Sequence, residues 1–440
     1  MELAEAQAWL EGLINIERTP ELRTARLDLA AIRALLGRVG HPERSLPVLH
    51  IAGSKGKGST ALLAEALLRA DGRTVGTYTS PHFVRWTERF RIDGREAEEA
   101  ALARVLTRLR PEVEALRTGP AVPSFFDATT AAAFLLFAEA GVDVAILEVG
   151  LGGRLDSTNA CEPRVTAVTS IELEHTDRLG TTRAAIAAEK AGIAKPGVPL
   201  VVGRVGDEAA AAIEAAARKA GAPLCSLGVD FDAGIVASSA DGSRFRFRDG
   251  AFEAEVHLGV PGAHQVDNAA VAWACVRRLH GCPPGRRDPT GVAPALEAFG
   301  RVRLPGRVES LERVPRVVID GAHTEASAEA LAQVLERLPR RKFHLVLSVS
   351  AGKEILAICR RLASDADTVT VTRAEPLRSM DPEALAEIVA RVAPRARVRV
   401  VADPAAAVTR ARGAMSDRDL LCATGSVYMA GAARNALGAR

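Results

Sequence analysis

The sequence predicts an α/β protein in two parts: a larger N-terminal domain built around a glycine-rich turn, and a smaller Rossmann-like α/β domain after it. Three observations carry this prediction. The apolar run VLHIA at 48–52 passes into GSKGKGST and then into the helical stretch ALLAEALLRA. Apolar, β-rich runs alternate with Ala/Leu/Glu-rich stretches along most of the chain, which argues mainly parallel sheets with ligands at the carboxyl ends of the strands. The rhythm breaks twice, in short alternating segments at 228–258 that read as an antiparallel hairpin insertion, and in the Pro/Gly-rich CPPGRRDPTGVAP from 282. A boundary is expected near residue 297, dividing the chain into 1–297 and 298–440.

The glycine turn comes first. Gly53, Gly56 and Gly58 allow positive φ and close approach, so that successive N–H groups and the N-terminus of the next helix converge on one anion. Lys57 then supplies a mobile positive charge for outer phosphates and Ser59 a hydroxyl for Mg²⁺. Gly58 intervenes between lysine and hydroxyl, so the segment reads as a variant P-loop; the alternative is an ordinary tight βα turn. The chain has 50 Arg and 7 Lys, and four of those lysines (55, 57, 190, 195) fall in two short clusters. Lysines retained there point to a need for a flexible point charge or a reactive amine, which guanidinium cannot supply.

Strands are expected at 48–52, 142–149, 164–171, 198–203, 316–320, 343–349, 368–372 and 397–401, with helices between them. The second of these ends in Glu148, and a glycine turn then leads to Arg154, Asp156 and Asn159. A carboxylate at a strand tip beside a P-loop is placed for Mg²⁺, although a solvated acid fits the same position. The strand from 164 leads to His175 and to a helix with Lys190; taken alone, each is an ordinary structural or surface residue.

A net charge of +3 with interspersed acids and bases argues against nucleic acid as a partner. The acidic start MELAEAQAWLEG lacks the pattern of a secretion signal, and the apolar stretch ATTAAAFLLF is too short to span a bilayer. A cytoplasmic, monomeric enzyme acting on small molecules is the expectation. The six cysteines show no C-x-x-C spacing and read as buried thiols.

Taken together, HIAGSKGKGST, TSPHFVRWTERFRIDG, SFFDATTAAAF, EVGLGGRLDSTN, HTDRLG with EKAGIAKPG, PGAHQVDNAA, LPGR, DGAH and ATGSVY resemble the folylpolyglutamate synthase/dihydrofolate synthase family of the Mur ligase superfamily. They occur in family order over nearly the whole chain. The resemblance implies a P-loop-containing Mur-ligase-like domain plus a glutamate-ligase-type α/β domain, with ATP in the interdomain cleft. It implies that Gly56, Lys57, Gly58 and Ser59 bind ATP phosphates, and that Asn268, Arg307 and Asp320 make further nucleotide contacts. Ser59, Ser80, Glu148 and His175 correspond to Mg²⁺ ligands, and Lys190 to the family's carboxylated lysine, whose CO₂-derived carbamate turns a cation into an anion. Lys57, Glu148, His175 and Lys190 thereby become the catalytic candidates. Ser124, Phe125, Phe126 and Asp127, with Leu155, Asp156 and Ser157, match the pterin-binding segments; core packing is an equal reading for one of the two phenylalanines.

The implied reaction is phosphorylation of a carboxylate by ATP, followed by attack of the glutamate amine on the acyl phosphate. The sequence departs from the family pattern at Ser54-Lys55, where many members carry Thr-Asn, at Glu174 for Asp, at Thr324 for Asn, and at SVSAGKE, residues 348–354. Two other readings stay open: a Mur-type ligase for another carboxylate acceptor, and a P-loop NTPase or binding protein without ligase activity.

Overall fold

The computed structural model describes residues 1–15, 28–239, 241–281, 292–352 and 354–438. Part of the Pro/Gly-rich segment from 282 and Lys353 of SVSAGKE lie outside the described residues.

The first sheet holds β1 (Val48–Ala52), β2 (Val75–Tyr78), β3 (Phe90–Ile92), β4 (Arg95–Glu96), β5 (Val144–Glu148), β6 (Pro163–Val168), β7 (Leu200–Val202) and β8 (Leu224–Ser226). Its spatial order is β4-β3-β2-β5-β1-β6-β7-β8. From β2 to β8 the pairing is parallel, and β3 and β4 add an antiparallel edge. Parallel strands covered on both faces read as continuous apolar runs, and β1 is buried throughout. Leu49 and Ile51 pack into one cluster with the helices Lys57–Ala70 and Ala263–Leu279. Val48 faces the opposite cluster, shared with the helices Glu99–Leu116 and Phe125–Ala140.

The expected hairpin is a three-stranded antiparallel sheet of β9 (Phe231–Ser239), β10 (Gly242–Asp249) and β11 (Phe252–Leu258). Along β10, Phe245 and Phe247 face inward while Arg244, Arg246 and Arg248 face solvent, the period-two pattern of a half-buried strand. Phe247 stacks on Trp273 with centroids 4.7 Å apart. The helix Val292–Arg301 runs through residue 297, and its Ala295 and Phe299 belong to the same core as Phe245.

The last sheet contains β12 (Glu309–Arg313), β13 (Arg316–Ile319), β14 (Phe343–Leu347), β15 (Thr368–Val371), β16 (Arg397–Val400) and β17 (Leu420–Thr424), in the order β12-β13-β17-β14-β15-β16. All but β12 are parallel. The sequence reading does not single out β2 or the central β17; a short apolar run such as LLCAT has no periodicity that separates strand from buried helix.

Candidate active site

The central position of β1 decides the site. Its neighbours β5 and β6 run parallel to it, so the carboxyl ends of all three strands reach one edge together. The loop after β1 is tied to the loop after β6: Ser54 N–H donates to Ser170 O at 2.8 Å, and Thr169 N–H to Ala52 O at 3.0 Å. Gly56 stands at φ +83° as N-cap of the helix Lys57–Ala70. A Cβ there would lie 2.2 Å from Asn268 Oδ1, and one at Gly58 would lie 3.1 Å from Glu148 Oε2. These two glycines are what let Asn268 and Glu148 approach the loop.

Glu148, 5 % exposed at the end of β5, accepts the Ser80 N–H on Oε2 at 3.0 Å. Burial raises its pKa, opposed by the charge of Lys57, the Ser80 amide and Arg307. Ser59 is buried in the first turn of the helix. Arg307 and Asp320 come from beyond the first core. Asp320 accepts Val308 N–H and Ala322 N–H, each at 2.7 Å, and so fastens the segment before β12 to the loop after β13. Burial raises its pKa against the pull of Arg307. The charge of Arg307 is felt by Glu148, Asp320 and His264, placing it among residues from both halves of the chain.

Lys190 is 2 % exposed, and its Nζ donates to Gly53 O and to Glu174 Oε1, both at 3.0 Å. Burial lowers its pKa to about 8 in spite of Glu174. Burial works the other way on Glu174, but Lys190, Lys55 and Lys57 outweigh it and hold that carboxyl at about 2. His175 is exposed at φ +48°, capping the short helix Thr176–Leu179, and its charge reaches the cluster through the adjacent Glu174.

The second set of sequence candidates forms its own knot. Ser124 caps the helix Phe125–Ala140, its Oγ donating to Asp127 Oδ2 at 2.6 Å, while Asp127 Oδ1 accepts from Ser157 Oγ at 2.7 Å. Phe125 is core, with the buried Arg89 guanidinium 5.2 Å from its ring centroid. Phe126 is partly exposed; its ring closes on Gly150 and lies 6.0 Å from Tyr78. Asp156 is buried and accepts the N–H groups of Gly150, Leu151 and Thr158 at 2.9–3.1 Å. Burial lifts its pKa to about 6. Its carboxylate therefore organises the loop after β5, and Leu155 is partly exposed in the same loop.

Composition marks Lys55 and the family pattern marks Glu174, but neither gives them a partner, and His264, Arg89, Phe83 and His323 are not singled out at all. All but Glu174, which immediately precedes HTDRLG, lie inside segments that carry the family resemblance, but only the fold shows where they meet.

Residues 51–276 match the Mur ligase middle domain and residues 306–427 the Mur ligase glutamate ligase domain. A dihydrofolate synthase/folylpolyglutamate synthase of Mycobacterium tuberculosis is 34% identical over 98% of this chain and 93% of its own. The chain belongs to the folylpolyglutamate synthase/dihydrofolate synthase family. It is a Mur-type ligase of the α/β, two-part kind that this family shares. A probable bifunctional folylpolyglutamate synthase/dihydropteroate synthase of Haloferax volcanii is 36% identical over 99% of this chain, which spans 50% of that relative's length. The structure titled E. coli FolC in complex with DHPP and ADP superposes with a TM-score of 0.85 at 30% identity, covering 100% of this chain and 98% of that one. Among the described residues, no helix is long and apolar enough to cross a membrane.

Proposed function

We propose that this member of the family uses ATP to join L-glutamate to dihydropteroate and to reduced folates through an acyl phosphate. The observation that carries the reading is the close fit of Asn268 and Glu148 against Gly56 and Gly58, with the charge of Arg307 acting on both Glu148 and Asp320. DHPP and ADP are the ligands named for the E. coli structure that superposes over the whole chain. In this reading the chain divides into a P-loop ligase domain, drawn from sequence as 1–297, and a glutamate-ligase domain, 298–440. Keeping the helix Val292–Arg301 and Leu304 with their core moves the functional break to just beyond Leu304. A cytoplasmic monomer belongs to the same reading.

A carboxylate is a poor electrophile, and phosphorylation gives it a leaving group. The N–H groups of Gly56, Lys57, Gly58 and Ser59 hold the phosphates at the helix N-terminus, and Lys57 offsets the charge that develops during transfer. Asn268, beside the loop, and Arg307 and Asp320, from the C-terminal half, hold the nucleotide. Ser124 to Asp127 and Leu155 to Ser157 frame the pterin, with Phe126 as the stacking face. Closing the two halves keeps the glutamate amine near the acyl carbon and water away.

A Mg²⁺ site fits the residues present. The Glu148 carboxylate sits in a cradle that a side chain on Gly58 would fill, with Ser59 and Ser80 beside it. Among the described residues no three His, Cys, Asp or Glu side chains cluster as a self-sufficient metal site, so the cation would be completed by phosphate oxygens and water. When bound, Mg²⁺ neutralises charge on the transferring phosphoryl group. His175 and a carboxylated Lys190 are the further ligands of this proposal; the amine is drawn towards neutrality by its burial, the state that CO₂ addition needs.

The test is product formation by mass spectrometry with Mg²⁺, ATP and glutamate, offering dihydropteroate, tetrahydrofolate or a UDP-muramoyl acceptor. One added glutamyl unit on dihydropteroate and further units on tetrahydrofolate are expected. Product on the muramoyl acceptor alone would overturn the folate assignment.

A further inference from the structure

Lys55 has no part in the chemistry above, yet it is held firmly in the glycine loop. Its backbone is fixed: its N–H donates to Ser170 Oγ at 2.9 Å, and its carbonyl accepts from Thr169 Oγ1 at 2.5 Å and Ser170 Oγ at 3.1 Å. The side chain is 24% exposed, and Nζ donates to Glu174 Oε2 at 3.4 Å. The same Nζ lies 3.0 Å from His323 Nε2, which belongs to the loop between β13 and the helix Glu325–Glu336.

The chemistry of that contact is determined by its surroundings. His323 Nδ1 lies 2.8 Å from Gly321 O, and a carbonyl can only accept, so Nδ1 carries the ring proton. Nε2 is then left as acceptor for the Lys55 ammonium. The His323 backbone is held as well, donating to Ser327 Oγ at 3.0 Å. Two anchored residues, one from each half of the molecule, are thus joined by a charge-assisted hydrogen bond.

Reach explains the residue types. The amide nitrogen of an Asn is two bonds closer to the backbone than a lysine Nζ, about 2.5 Å short of this span. Glu174 is likewise one methylene longer than Asp, and it touches Lys190 with one oxygen and Lys55 with the other. Glu174, Lys55 and His323 therefore meet in a single bridge.

We propose that Lys55 is a positioning residue that docks the C-terminal half on the P-loop through the Glu174–Lys55–His323 bridge. The bridge keeps Arg307 and Asp320 over the loop, so less ordering is left for the nucleotide to accomplish. A second tie works beside it. Phe83, from the loop after β2, packs into the C-terminal core, and the Arg307 guanidinium lies 5.5 Å from its ring centroid. Loss of Lys55 therefore loosens the cleft without separating the two halves.

The experiment compares wild type with Lys55→Asn, Lys55→Met and Lys55→Arg. Small-angle X-ray scattering without substrates reads docking alone and is independent of which acceptor is used. The kinetic arm rests on the assignment of ATP to this cleft. Lys55→Asn and Lys55→Met are expected to increase the radius of gyration and raise the KM for ATP about 5- to 20-fold, with kcat within about twofold. Lys55→Arg, which keeps charge and reach, is expected to stay near wild type. Lys55→Met retains the apolar stem, so it remains informative if Lys55→Asn folds poorly. Unchanged scattering and KM in Lys55→Met would overturn the proposal. So would a fall in kcat at constant KM, because the lysine would then act in the chemistry. A wild type that ligates none of the acceptors would defeat the functional reading while leaving the scattering comparison intact.

Discussion

Gly56 and His50 show how much of this site is set by single atoms. At Gly56 a methyl group would meet Asn268 Oδ1 on a backbone already at φ +83°. Gly56→Ala should carry roughly 1–2 kcal/mol of backbone strain and lower ATP affinity at least about tenfold, about 1.4 kcal/mol, measured by calorimetric titration. Affinity unchanged from wild type would show that the loop does not need this conformation. His50, fully buried on β1, sits 2.8 Å from Thr158 Oγ1, and the Thr158 hydroxyl in turn donates to Asp156. Nε2 must therefore donate, which leaves Nδ1 unprotonated; that atom has no partner among the described residues. Burial, with Lys195 adding to it, pushes His50 down to about 3. Between pH 6.5 and 3 the unfolded chain binds a proton that the folded chain refuses, so stability falls as the pH falls. Below pH 6.5 the slope should be about 1.4 kcal/mol per pH unit from this group. His264, lowered to about 4 by burial and Arg307, adds a second contribution of the same sign. Urea unfolding at pH 7, 6 and 5 should give a shallower acid limb for His50→Gln; an identical limb would mean that His50 titrates normally.

At the scale of elements, the antiparallel sheet is fastened to the helix Ala263–Leu279 by charge. Asp249, at the end of β10, accepts from Arg277 Nε at 2.7 Å and from Arg278 Nη1 at 2.6 Å, and both Asp249 and Arg277 are fully buried. Asp249→Ala strands a buried guanidinium and should cost about 3–5 kcal/mol, read as a lowered urea midpoint. The helix Phe125–Ala140 shows the opposite balance, a local cap on the segment proposed to frame the pterin. Ser124→Ala removes the cap, worth about 1 kcal/mol, and frees Asp127 from one of its hydroxyl partners. The KM for dihydropteroate should rise while the KM for ATP stays constant; equal rises in both would assign the knot to general stability. The alternation along β10 and the S-x-x-D start of this helix are legible in sequence because both are short-range patterns. The pairing of Asp249 with Arg277 is not, because the partners are 28 residues apart and meet only when the sheet lies on the helix.

The whole molecule depends on how closely its halves meet. A Cβ on Gly431, in the helix Val427–Ala436, would lie 2.0 Å from the Phe83 carbonyl oxygen, a backbone atom with little room to move. Gly431→Ala should push that helix off the loop after β2 and raise the KM for ATP about tenfold or more, with the separate cores intact by circular dichroism. An unchanged KM would show that the Phe83 contact is not needed for nucleotide binding.

Order along the chain was enough to find the strand–loop–helix of the P-loop, the alternation that makes the sheets parallel, and the segments that mark the family. Each rests on local periodicity or on a short motif whose meaning does not depend on distant neighbours. By residue order alone Phe125 and Phe126 had equal claims as a stacking face; burial under Arg89 made Phe125 core and left Phe126 partly exposed. Only the tertiary structure brought Asn268 to Gly56, turned Asp156 inward to organise its own loop, and carried His323 to Lys55 across 268 residues. The physical reason is the parallel sheet: it gathers strand ends that are far apart in sequence at one edge, and hydrogen bonds and packing there are decided by distances that residue order does not contain.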